Sequence, residues 1–335
     1  MRVTAAPDKL RGTATAREVS AAIARAAERS GWTCHEVPMA DGGEGTLDAL
    51  GGPNRSTLVT GPLGEPVEAE WRLDGRLAVI EMARAAGLDL VGGPDANDPV
   101  AAATGGVGEL IAAAVESGAT RIVVGVGGSA TTDGGLAALR AVPLGRLRGV
   151  ELIVACDVRT AFVDAADVFA PQKGASPAQV KLLRRRLERL VQVYRDEYSV
   201  DVGELEGAGA AGGLAGGLAV AGATLVPGFD LVADEVELAE RIEDADLVIT
   251  AEGFLDAQSF EGKVVGGVAE LAAAIGRPVV AIAGEVFDDV GDRIEAVSLV
   301  ARFGADRART DTLACIEEVV TELLGKRSPA AAGDQ

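Results

Sequence analysis

The fold is decided by a strand and the loop after it, Arg121-Ile-Val-Val-Gly-Val-Gly-Gly-Ser-Ala-Thr-Thr-Asp-Gly-Gly135. The first half is apolar and β-branched, which predicts a buried strand over residues 121–126. The second half is rich in glycine and hydroxyl residues, which offer backbone N–H groups and hydroxyls to an anion as phosphate-binding loops do. A tight strand-to-helix turn is the alternative interpretation. The loop is not a Walker A motif, because it contains no Gly-Lys-Ser or Gly-Lys-Thr.

Strand and helix patterns alternate toward both ends of the chain. Apolar strand runs are separated by helix patterns with one apolar face, in the βαβ order that is typical of parallel sheets. The predicted strands cover residues 2–6, 33–38, 247–250, 279–283 and 296–300, and the predicted helices cover 15–29, 263–275 and 310–324. The first and last parts of the chain therefore predict a doubly wound parallel sheet.

The middle of the chain has a different pattern. Residues 58–82 contain two or three strand patterns with turn signals between them, which indicates antiparallel pairing. Further strands (121–126 and 151–155) and helices (107–117 and 177–198) follow. The run Arg184-Arg185-Arg186 on the last helix predicts a solvated face. We therefore expect an α/β chain of two domains, with residues 1–57 and 230–326 in the first, 58–229 in an inserted α/β domain, and 327–335 as a flexible tail.

Charge and rare residues limit the class of protein. The chain has 335 residues and a net charge of −20, which argues against binding to nucleic acid or to anionic membranes. An anionic ligand would then need a local cationic pocket.

The cysteines Cys34, Cys156 and Cys315 are far apart and form no Cys-x-x-Cys, which favours a reducing, cytoplasmic location. Because His35 is the single histidine, acid–base chemistry falls to carboxylates or lysine.

Two loops near the N-terminus carry charged groups beside predicted helices. Lys9 and Arg11 lie in Pro7-Asp-Lys-Leu-Arg-Gly-Thr13, where a helix N-terminus and two cations can hold an anion. Asp41 and Glu44 lie in Asp41-Gly-Gly-Glu-Gly-Thr46 and can bind Mg²⁺ or take a proton from a hydroxyl. The alternatives are an ordinary solvated loop for the first and a helix cap for the second.

The remaining candidates lie in the second half of the chain. The run Gly207-Ala-Gly-Ala-Ala-Gly-Gly213 carries no titratable group, so it allows close approach of either a ligand or a packed helix. The segment Thr250-Ala-Glu-Gly-Phe-Leu-Asp256 is expected as a loop after a strand, with carboxylates for a metal or a hydroxyl, or with Asp256 as an N-cap. Asp157 and Lys173 are charges in other predicted loops. Several anion loops with strand-end carboxylates fit phosphoryl transfer, which needs positioning and charge neutralisation.

These segments, in this order, resemble the type I glycerate kinase family, and the likeness covers nearly the whole chain. The matching motifs are Asp41-Gly-Gly-Glu-Gly-Thr46, Val79-Ile-Glu-Met-Ala83, Gly127-Gly-Ser-Ala-Thr131, Asp133-Gly-Gly135, Ala155-Cys-Asp-Val158, Pro171-Gln-Lys-Gly-Ala175 and Gly207-Ala-Gly-Ala-Ala-Gly-Gly213. The resemblance implies an enzyme that uses ATP and Mg²⁺ to phosphorylate D-glycerate. It also implies a flavodoxin-like doubly wound domain with an inserted domain similar to restriction endonucleases, in a cytoplasmic monomer or homodimer.

The resemblance assigns roles to residues at the matching positions. Asp41 or Asp157 is expected to orient or deprotonate the attacking hydroxyl, with Lys9 as a further catalytic group. The expected substrate contacts are Asp8, Arg11, Glu44, Lys173 and Glu252. The expected nucleotide contacts are Gly127, Gly128, Ser129, Ala130, Thr131, Gly209 and Gly212. Mg²⁺ is expected at Glu44 or Asp256.

The sequence also departs from the family pattern. Lys9-Leu10-Arg11 stands where Ser-Phe-Lys is usual, and the region of residues 136–150 is shorter by some tens of residues. In the segment of residues 250–256 and just beyond it, Ala251, Phe254 and Ala257 replace Gly, Arg and Gly. The arginine replaced by Phe254 would be an anion contact, so the acceptor acid is the least defined part of the prediction. Glycerate phosphorylation has two alternatives. One is phosphorylation of another small hydroxy acid, and the other is binding of a nucleotide without catalysis.

Overall fold

A computed structural model describes residues 1–142, 144–287, 290 and 293–327. The chain forms two compact units, so the predicted two-domain α/β organisation is confirmed. The first unit contains residues 1–41 and the described residues from 229 onward, and the second contains residues 42–228. Residues 42–57, which the sequence placed with the first domain, belong to the second unit. Of the predicted tail of residues 327–335, only Arg327 is among the described residues, and it ends the last helix.

The strands and helices follow the alternation predicted from the sequence. The strands are β1 (Arg2–Ala5), β2 (Thr33–Glu36), β3 (Arg55–Thr60), β4 (Pro66–Asp74), β5 (Leu77–Glu81), β6 (Arg121–Gly125), β7 (Glu151–Cys156), β8 (Thr224–Pro227), β9 (Leu247–Leu255), β10 (Val279–Val286) and β11 (Glu295–Ser298). The helices are α1 (Ala16–Arg29), α2 (Thr46–Ala49), α3 (Ala83–Ala86), α4 (Gly105–Glu116), α5 (Leu136–Ala141), α6 (Ala165–Phe169), α7 (Pro177–Tyr198), α8 (Ala210–Val220), α9 (Gly228–Glu235), α10 (Leu238–Glu243), α11 (Val264–Ile275), α12 (Leu299–Phe303), α13 (Ala305–Thr310) and α14 (Thr312–Arg327).

The first unit is built on a five-stranded parallel sheet in the order β11-β10-β9-β1-β2. Val3 of β1 lies between Cys34 of β2 and Leu247 of β9, so the chain order reverses at β1. The crevice where the strand order of an open sheet reverses is the usual place for a ligand, at the carboxyl ends of the strands. The residues after β1 and in the last part of β9 occupy this position.

Apolar residues spaced at helical intervals cover this sheet. Val19 and Ile23 of α1 pack in one core cluster with Leu247 and Ile249 of β9 and with Val319 of α14. Helix α1 starts where the sequence predicts, because the Thr15 side chain accepts from the N–H of Glu18 and the Glu18 carboxylate accepts from the N–H of Thr15. This core fixes the ends of β1 and β9 relative to each other.

The second unit is built on a six-stranded mixed sheet in the order β3-β4-β5-β6-β7-β8. The pairs β3/β4 and β4/β5 are antiparallel, and β5 to β8 run parallel to one another. Ile122 and Val124 of β6 are fully buried and pack with Leu110 of α4 and Leu214 of α8. The carboxyl ends of β5, β6 and β7 therefore lie side by side at one edge of the sheet.

The segment predicted as a loop after residue 250 is mostly strand. The prediction ended the strand at Thr250, but β9 continues to Leu255 and pairs along its length with β10, with Glu252 opposite Ala283 and Phe254 opposite Glu285. The sequence pattern was misleading because Gly253 interrupts the apolar run. A Cβ added at Gly253 would lie 3.4 Å from the backbone nitrogen of Arg11, so the segment after β1 lies in van der Waals range of the strand at this position.

All three cysteines are free thiols. In the part of the chain that the structure describes, none of the helices combines the length and the apolar composition that a bilayer-spanning segment requires.

Candidate active site

The second unit contains a pocket of about 350 Å³ at the carboxyl ends of β6 and β7. Its lining includes Gly127, Gly128 and Ser129 from the loop after β6, Asp157 directly after β7, and Lys173. Residues that follow neighbouring parallel strands meet at the same edge of a sheet, which explains why distant segments converge here. The structure thus brings together three of the motifs singled out in the sequence.

Lys173 supplies a buried cation to this pocket, with 3% of its surface exposed. Its Nζ donates hydrogen bonds of 2.6 Å to the Oγ of Ser129 and to the carbonyl oxygen of Thr131. Burial lowers the pKa of Lys173 to about 7, although the negative charge of Asp133 acts in the opposite direction. Two neutral acceptors compensate a buried ammonium group poorly, so a phosphate or carboxylate beside it would be strongly favoured.

The backbone around Lys173 fixes the position of its side chain. Lys173 ends a short 3-10 turn, Pro171–Lys173, which is followed by Gly174 with a φ of +93°. A Cβ at Gly174 would lie 2.2 Å from the carbonyl oxygen of Pro94, so glycine is required there. Asn97 ties the turn to the glycine-rich loop, since its Nδ2 donates to the carbonyl oxygens of Lys173 and Ala130 at 2.9 and 3.0 Å. Asn97 was not predicted as a site residue, because an asparagine in a loop is a common turn residue.

Only part of the predicted phosphate loop lines the pocket. Gly127, Gly128 and Ser129 do so, whereas Ala130 and Thr131 are fully buried and are absent from its lining. The Thr131 carbonyl instead accepts from Lys173, and the Thr131 Oγ1 has no hydrogen-bond partner among the described residues. Direct contact of nucleotide with Ala130 and Thr131 stays a prediction.

The glycines of the run 207–213 pack against other backbone. A Cβ at Gly209 would lie 2.4 Å from the carbonyl oxygen of Ala161, and one at Gly212 would lie 2.0 Å from the carbonyl oxygen of Thr131. Gly212 thereby supports the loop that carries Ser129. Between these glycines, Ala211 lines the Lys173 pocket and has a left-handed backbone conformation, with a φ of 51°. For a residue with a Cβ this conformation costs about 1 kcal/mol or more. A nucleotide contact of Gly209 and Gly212 stays a prediction beside this packing role.

Asp133 anchors the end of the same loop. Its Oδ2 accepts from the N–H and the hydroxyl of Thr104 at 3.0 and 2.9 Å, and its Oδ1 accepts from the N–H of Gly135 at 3.1 Å. Gly135 is the N-cap residue of α5, so the carboxylate stabilises the start of that helix. The sequence showed Asp133 as part of a motif without a role, and its role here is to hold the loop in place.

Glu44 lines a different cavity of the second unit, of about 560 Å³. The carboxylates of Glu68, Glu70, Glu81, Asp89 and Glu44 line it together with Arg84, and Gly128 lines both this cavity and the Lys173 pocket. Glu81 belongs to the motif of residues 79–83, for which the sequence suggested no role. It is buried, and its Oε1 accepts from the N–H groups of Gly45 and Leu47 at 2.8 Å each. Burial raises the pKa of Glu81. The mainly negative lining suits a cation better than an acid substrate.

Asp8 lies at the end of β1 in the first unit, where the strand order reverses. Its N–H donates to the carbonyl oxygen of Ala251 in β9 at 2.8 Å, and its Oδ1 accepts from the N–H of Lys9 at 2.7 Å. Burial raises the pKa of Asp8 to about 6; Lys9, whose Nζ lies 3.7 Å from the Asp8 Oδ1, lowers it, and the negative charge of Asp41 raises it. Asp8, Lys9 and Asp41 therefore form one electrostatic group.

Glu252 belongs to the same group. Its side chain is 9% exposed, and its Oε1 is buried with no hydrogen-bond partner among the described residues. Burial raises the pKa of Glu252 to about 7, a hydrogen bond from Ser259 lowers it, Asp8 raises it, and Lys263 lowers it. A buried carboxyl oxygen without a partner is costly, so it is expected to meet a water or a ligand hydroxyl.

Two further predicted residues of the first unit have different surroundings. Asp256 is an N-cap, because its Oδ1 accepts from the N–H groups of Gln258 and Ser259 at 2.8 and 3.2 Å. Arg11 is exposed and lines a small cavity of about 70 Å³ with Phe254, whose ring lies 6.4 Å from that of Phe287. In the described part of the chain, His, Cys, Asp and Glu side chains nowhere gather in threes that could hold a metal ion.

Comparison with known proteins identifies the family. The glycerate kinase family model matches residues 3–145 and 143–324. The glycerate 2-kinase of Escherichia coli (strain K12) is 40% identical over 332 residues, covering 87% of each chain. The glycerate kinase of Halalkalibacterium halodurans is 39% identical over 333 residues, covering 87% of this chain and 86% of that protein. A crystal structure described as "putative glycerate kinase 2 from Salmonella typhimurium LT2" superimposes with a TM-score of 0.84 at 32% identity, covering 100% of both chains.

The family match spans nearly the whole described chain and includes both the Lys173 pocket and the Asp8–Glu252 group, and the similar proteins are kinases by name. The chain belongs to the glycerate kinase family.

Proposed function

We propose that the protein is a glycerate kinase, which transfers the γ-phosphate of ATP to a hydroxyl of D-glycerate and forms a phosphoglycerate. The observation that carries this proposal is the buried ammonium group of Lys173, bonded to the glycine-rich loop in a pocket that Asp157 also lines. In phosphoryl transfer the protein mainly positions the groups and neutralises charge. A cation of this kind serves that purpose in a chain whose net charge is −20.

Lys173 and the loop of Gly127, Gly128 and Ser129 hold phosphate groups of ATP. The backbone N–H groups of a glycine-rich loop can approach phosphate oxygens closely, and the lysine adds a positive charge. Because the pKa of Lys173 is about 7 in the unliganded protein, an arriving phosphate favours the charged form of the lysine. Binding and protonation of Lys173 therefore reinforce each other.

Asp8 and Glu252 hold the acceptor hydroxyls. A carboxyl group with a pKa of about 6 or 7 can donate a hydrogen bond when protonated and accept one when ionised, near neutral pH. The unpartnered Glu252 Oε1 is the atom most in need of such a hydroxyl. Two carboxylates are candidates for the general base: Asp41, whose charge acts on Asp8, and Asp157, which lines the pocket that contains Lys173.

Mg²⁺ fits this chain as an ion that enters with the nucleotide. Magnesium usually keeps several waters and binds one or two carboxylates together with substrate phosphates, so it does not need a cage of three protein ligands. The acidic cavity that contains Glu44 offers carboxylates of this kind, and Asp256 keeps one carboxylate oxygen that is not used in capping. When bound, the ion neutralises charge on the transferred phosphate.

The strand order of the first unit supports the flavodoxin-like fold that the family resemblance implies. Counted within the first unit, the strand order β2-β1-β9-β10-β11 is 2-1-3-4-5, which is the flavodoxin-like order. The assignment of the second unit as restriction-endonuclease-like stays a prediction, as do the cytoplasmic location and the choice between monomer and homodimer.

A substrate panel tests the proposed function. ADP release is measured with ATP and Mg²⁺ in the presence of D-glycerate, L-glycerate, glycolate, D-lactate or no acid. We expect turnover with D-glycerate about 10²-fold or more above turnover with the other acids, because an acid without a hydroxyl in the matching position leaves polar groups of the site unpaired. A higher rate with another acid would favour the second candidate, a kinase of a different hydroxy acid, for which Phe254 in place of the usual arginine is the motivating observation. ATP binding without turnover on any acid would contradict both.

A further inference from the structure

A third cavity of the second unit, separate from the Lys173 pocket and from the cavity that contains Glu44, is a groove of about 1080 Å³ lined by residues of α4, α5 and α7. Leu136 and Ala137 of α5 and Leu182 and Leu190 of α7 give it apolar walls. Its volume is slightly above the usual range for small-molecule sites, about 300–1,000 Å³. The groove can therefore accommodate an organic molecule as large as a nucleotide.

The same groove is lined by arginines. Arg185, Arg186 and Arg189 stand on the face of α7 that also carries Leu182, and Arg140 lies opposite on α5. The run that the sequence suggested to be a merely solvated face thus contributes two residues to a cavity. Four guanidinium groups around one groove create a local positive field in a chain whose net charge is −20.

None of these four arginines forms an ion pair with a carboxylate among the described residues. Their neighbour Arg184, by contrast, bonds to Asp164, Asp167 and Glu188. The hydrogen bonds of the three arginines on α7 go to neutral acceptors: the Arg186 Nη1 donates to the carbonyl oxygen of Val100 at 2.8 Å, for example. Arginine in so acidic a chain readily finds a carboxylate, so this cluster is positioned for an anion from outside the chain.

The carboxylates of the groove are already engaged elsewhere. Asp133 accepts from Thr104 and Gly135, and the Glu109 Oε2 accepts from the N–H of Thr60 at 2.7 Å. Thr132 also lines the groove, is 1% exposed, and its Oγ1 has no hydrogen-bond partner among the described residues. A buried hydroxyl without a partner is expected to be satisfied by a water or a bound molecule.

We propose that this groove, named here the arginine groove, binds a small organic anion that combines an apolar or aromatic body with a phosphate, sulfonate or carboxylate group. The apolar walls take the body, and Arg140, Arg185, Arg186 and Arg189 take the negative charge. The groove is a second ligand site of the enzyme, apart from the Lys173 pocket.

Fluorescence titration with two matched probes tests the two halves of this proposal. The probe 8-anilinonaphthalene-1-sulfonate has both an aromatic body and an anionic group, and N-phenyl-1-naphthylamine is the same body without the sulfonate. The groove variant is Arg185→Gln/Arg189→Gln, and the matched control is Arg184→Gln/Arg195→Gln, on the same helix with the same change in charge. Arg195, like Arg184, bonds to a carboxylate, that of Asp201.

We expect saturable 1:1 binding of the sulfonate probe. Because charged hydrogen bonds are lost, its Kd should rise about 10-fold or more in the groove variant and less than about 2-fold in the control. The neutral probe should bind equally to all three proteins, and the groove variant should keep the kcat and KM of the wild type. Equal weakening in both variants, or unchanged binding in the groove variant, would overturn the proposal. Competitive displacement of the probe by ATP at its KM would also overturn it, because the groove would then be the nucleotide site of the reaction.

Discussion

The Nζ of Lys173 lies 2.6 Å from the Oγ of Ser129, although the two residues are 44 positions apart in the chain. This bond joins the turn after α6 to the glycine-rich loop after β6, and it leaves the ammonium group with neutral acceptors only. A phosphate oxygen beside it would complete the charge balance of the pocket. The geometry of this pair therefore connects the fold of the second unit to the proposed binding of ATP.

Replacement of the buried lysine should abolish most of the activity. Lys173→Met keeps an unbranched side chain, one atom shorter, and removes the charge, so we expect kcat/KM for ATP to fall about 10²-fold or more. Lys181→Met on the exposed side of α7 is the matched control and should leave it unchanged. The measurement is steady-state ADP release, with circular dichroism to verify folding. Near-normal kcat/KM in a folded Lys173→Met protein would remove Lys173 from phosphate binding.

The general base should be revealed by comparing two asparagine variants. Asp41→Asn and Asp157→Asn both keep the size of the side chain, and the variant that lacks the base should lose about 10²-fold or more in kcat at unchanged stability. Asp167→Asn, an exposed partner of Arg184, serves as the control. Single-turnover kinetics separate this loss from weaker binding. If neither variant loses as much as about 10-fold, neither carboxylate takes the proton.

Glu252 should show a trade-off between stability and activity. Its pKa is raised to about 7 in the folded protein from an ordinary value near 4.5, so folding binds a proton between these values and stability falls as the pH rises through this window. Glu252→Gln removes the buried charge and should raise the free energy of unfolding at pH 8 by on the order of 2 kcal/mol, with little change at pH 4. It should also lower kcat/KM for glycerate.

Urea denaturation at the two pH values checks the stability of Glu252→Gln. The exposed Glu261→Gln is its control and should behave as the wild type. A Glu252→Gln protein that is less stable than the wild type at pH 8 would show that the ionised carboxylate is well satisfied where it is, contrary to its unpartnered Oε1.

Gly212 should be required for packing rather than for backbone conformation alone. A Cβ there would lie 2.0 Å from the carbonyl oxygen of Thr131, whereas Gly222, which also has a positive φ, has open space around it. Gly222→Ala should cost about 1 kcal/mol from its backbone conformation, and Gly212→Ala should cost at least about 2 kcal/mol more because the loop must move. Urea denaturation of both variants measures the difference. Equal losses would mean that the contact with Thr131 relaxes easily.

The sequence predicts the elements of this fold well where local signals are strong. Helix α7 covers the predicted residues, Pro177–Tyr198. Its start was predictable because Pro177 and the capping box of Ser176 and Gln179 mark it. The prediction that β9 ends at Thr250 was wrong. Hydrogen bonding to β10, which is distant in sequence, extends the strand past Gly253 to Leu255. The N-cap alternative considered for Asp256 is the arrangement that the structure contains.

Local sequence motifs predict only part of the candidate site. The motifs around Ser129, Asp157 and Lys173 were recognisable, but the burial of Lys173 depends on which segments cover it after folding. The same is true of the raised pKa values of Asp8 and Glu252. Burial is the main cause of both, the charge of Asp41 adds to the shift of Asp8, and the charge of Asp8 adds to the shift of Glu252. Asn97 was missed for the same reason, since its partners are 33 and 76 residues away.

The transfer reaction itself can be followed by ³¹P NMR of ATP, Mg²⁺ and D-glycerate with the wild-type protein and with Lys173→Met. We expect the wild type to convert the γ-phosphate signal into a phosphomonoester signal of phosphoglycerate together with ADP, and the variant to leave ATP intact over the same period. Formation of ADP and inorganic phosphate without a phosphomonoester, or equal product from both proteins, would contradict phosphate transfer to glycerate at the Lys173 pocket.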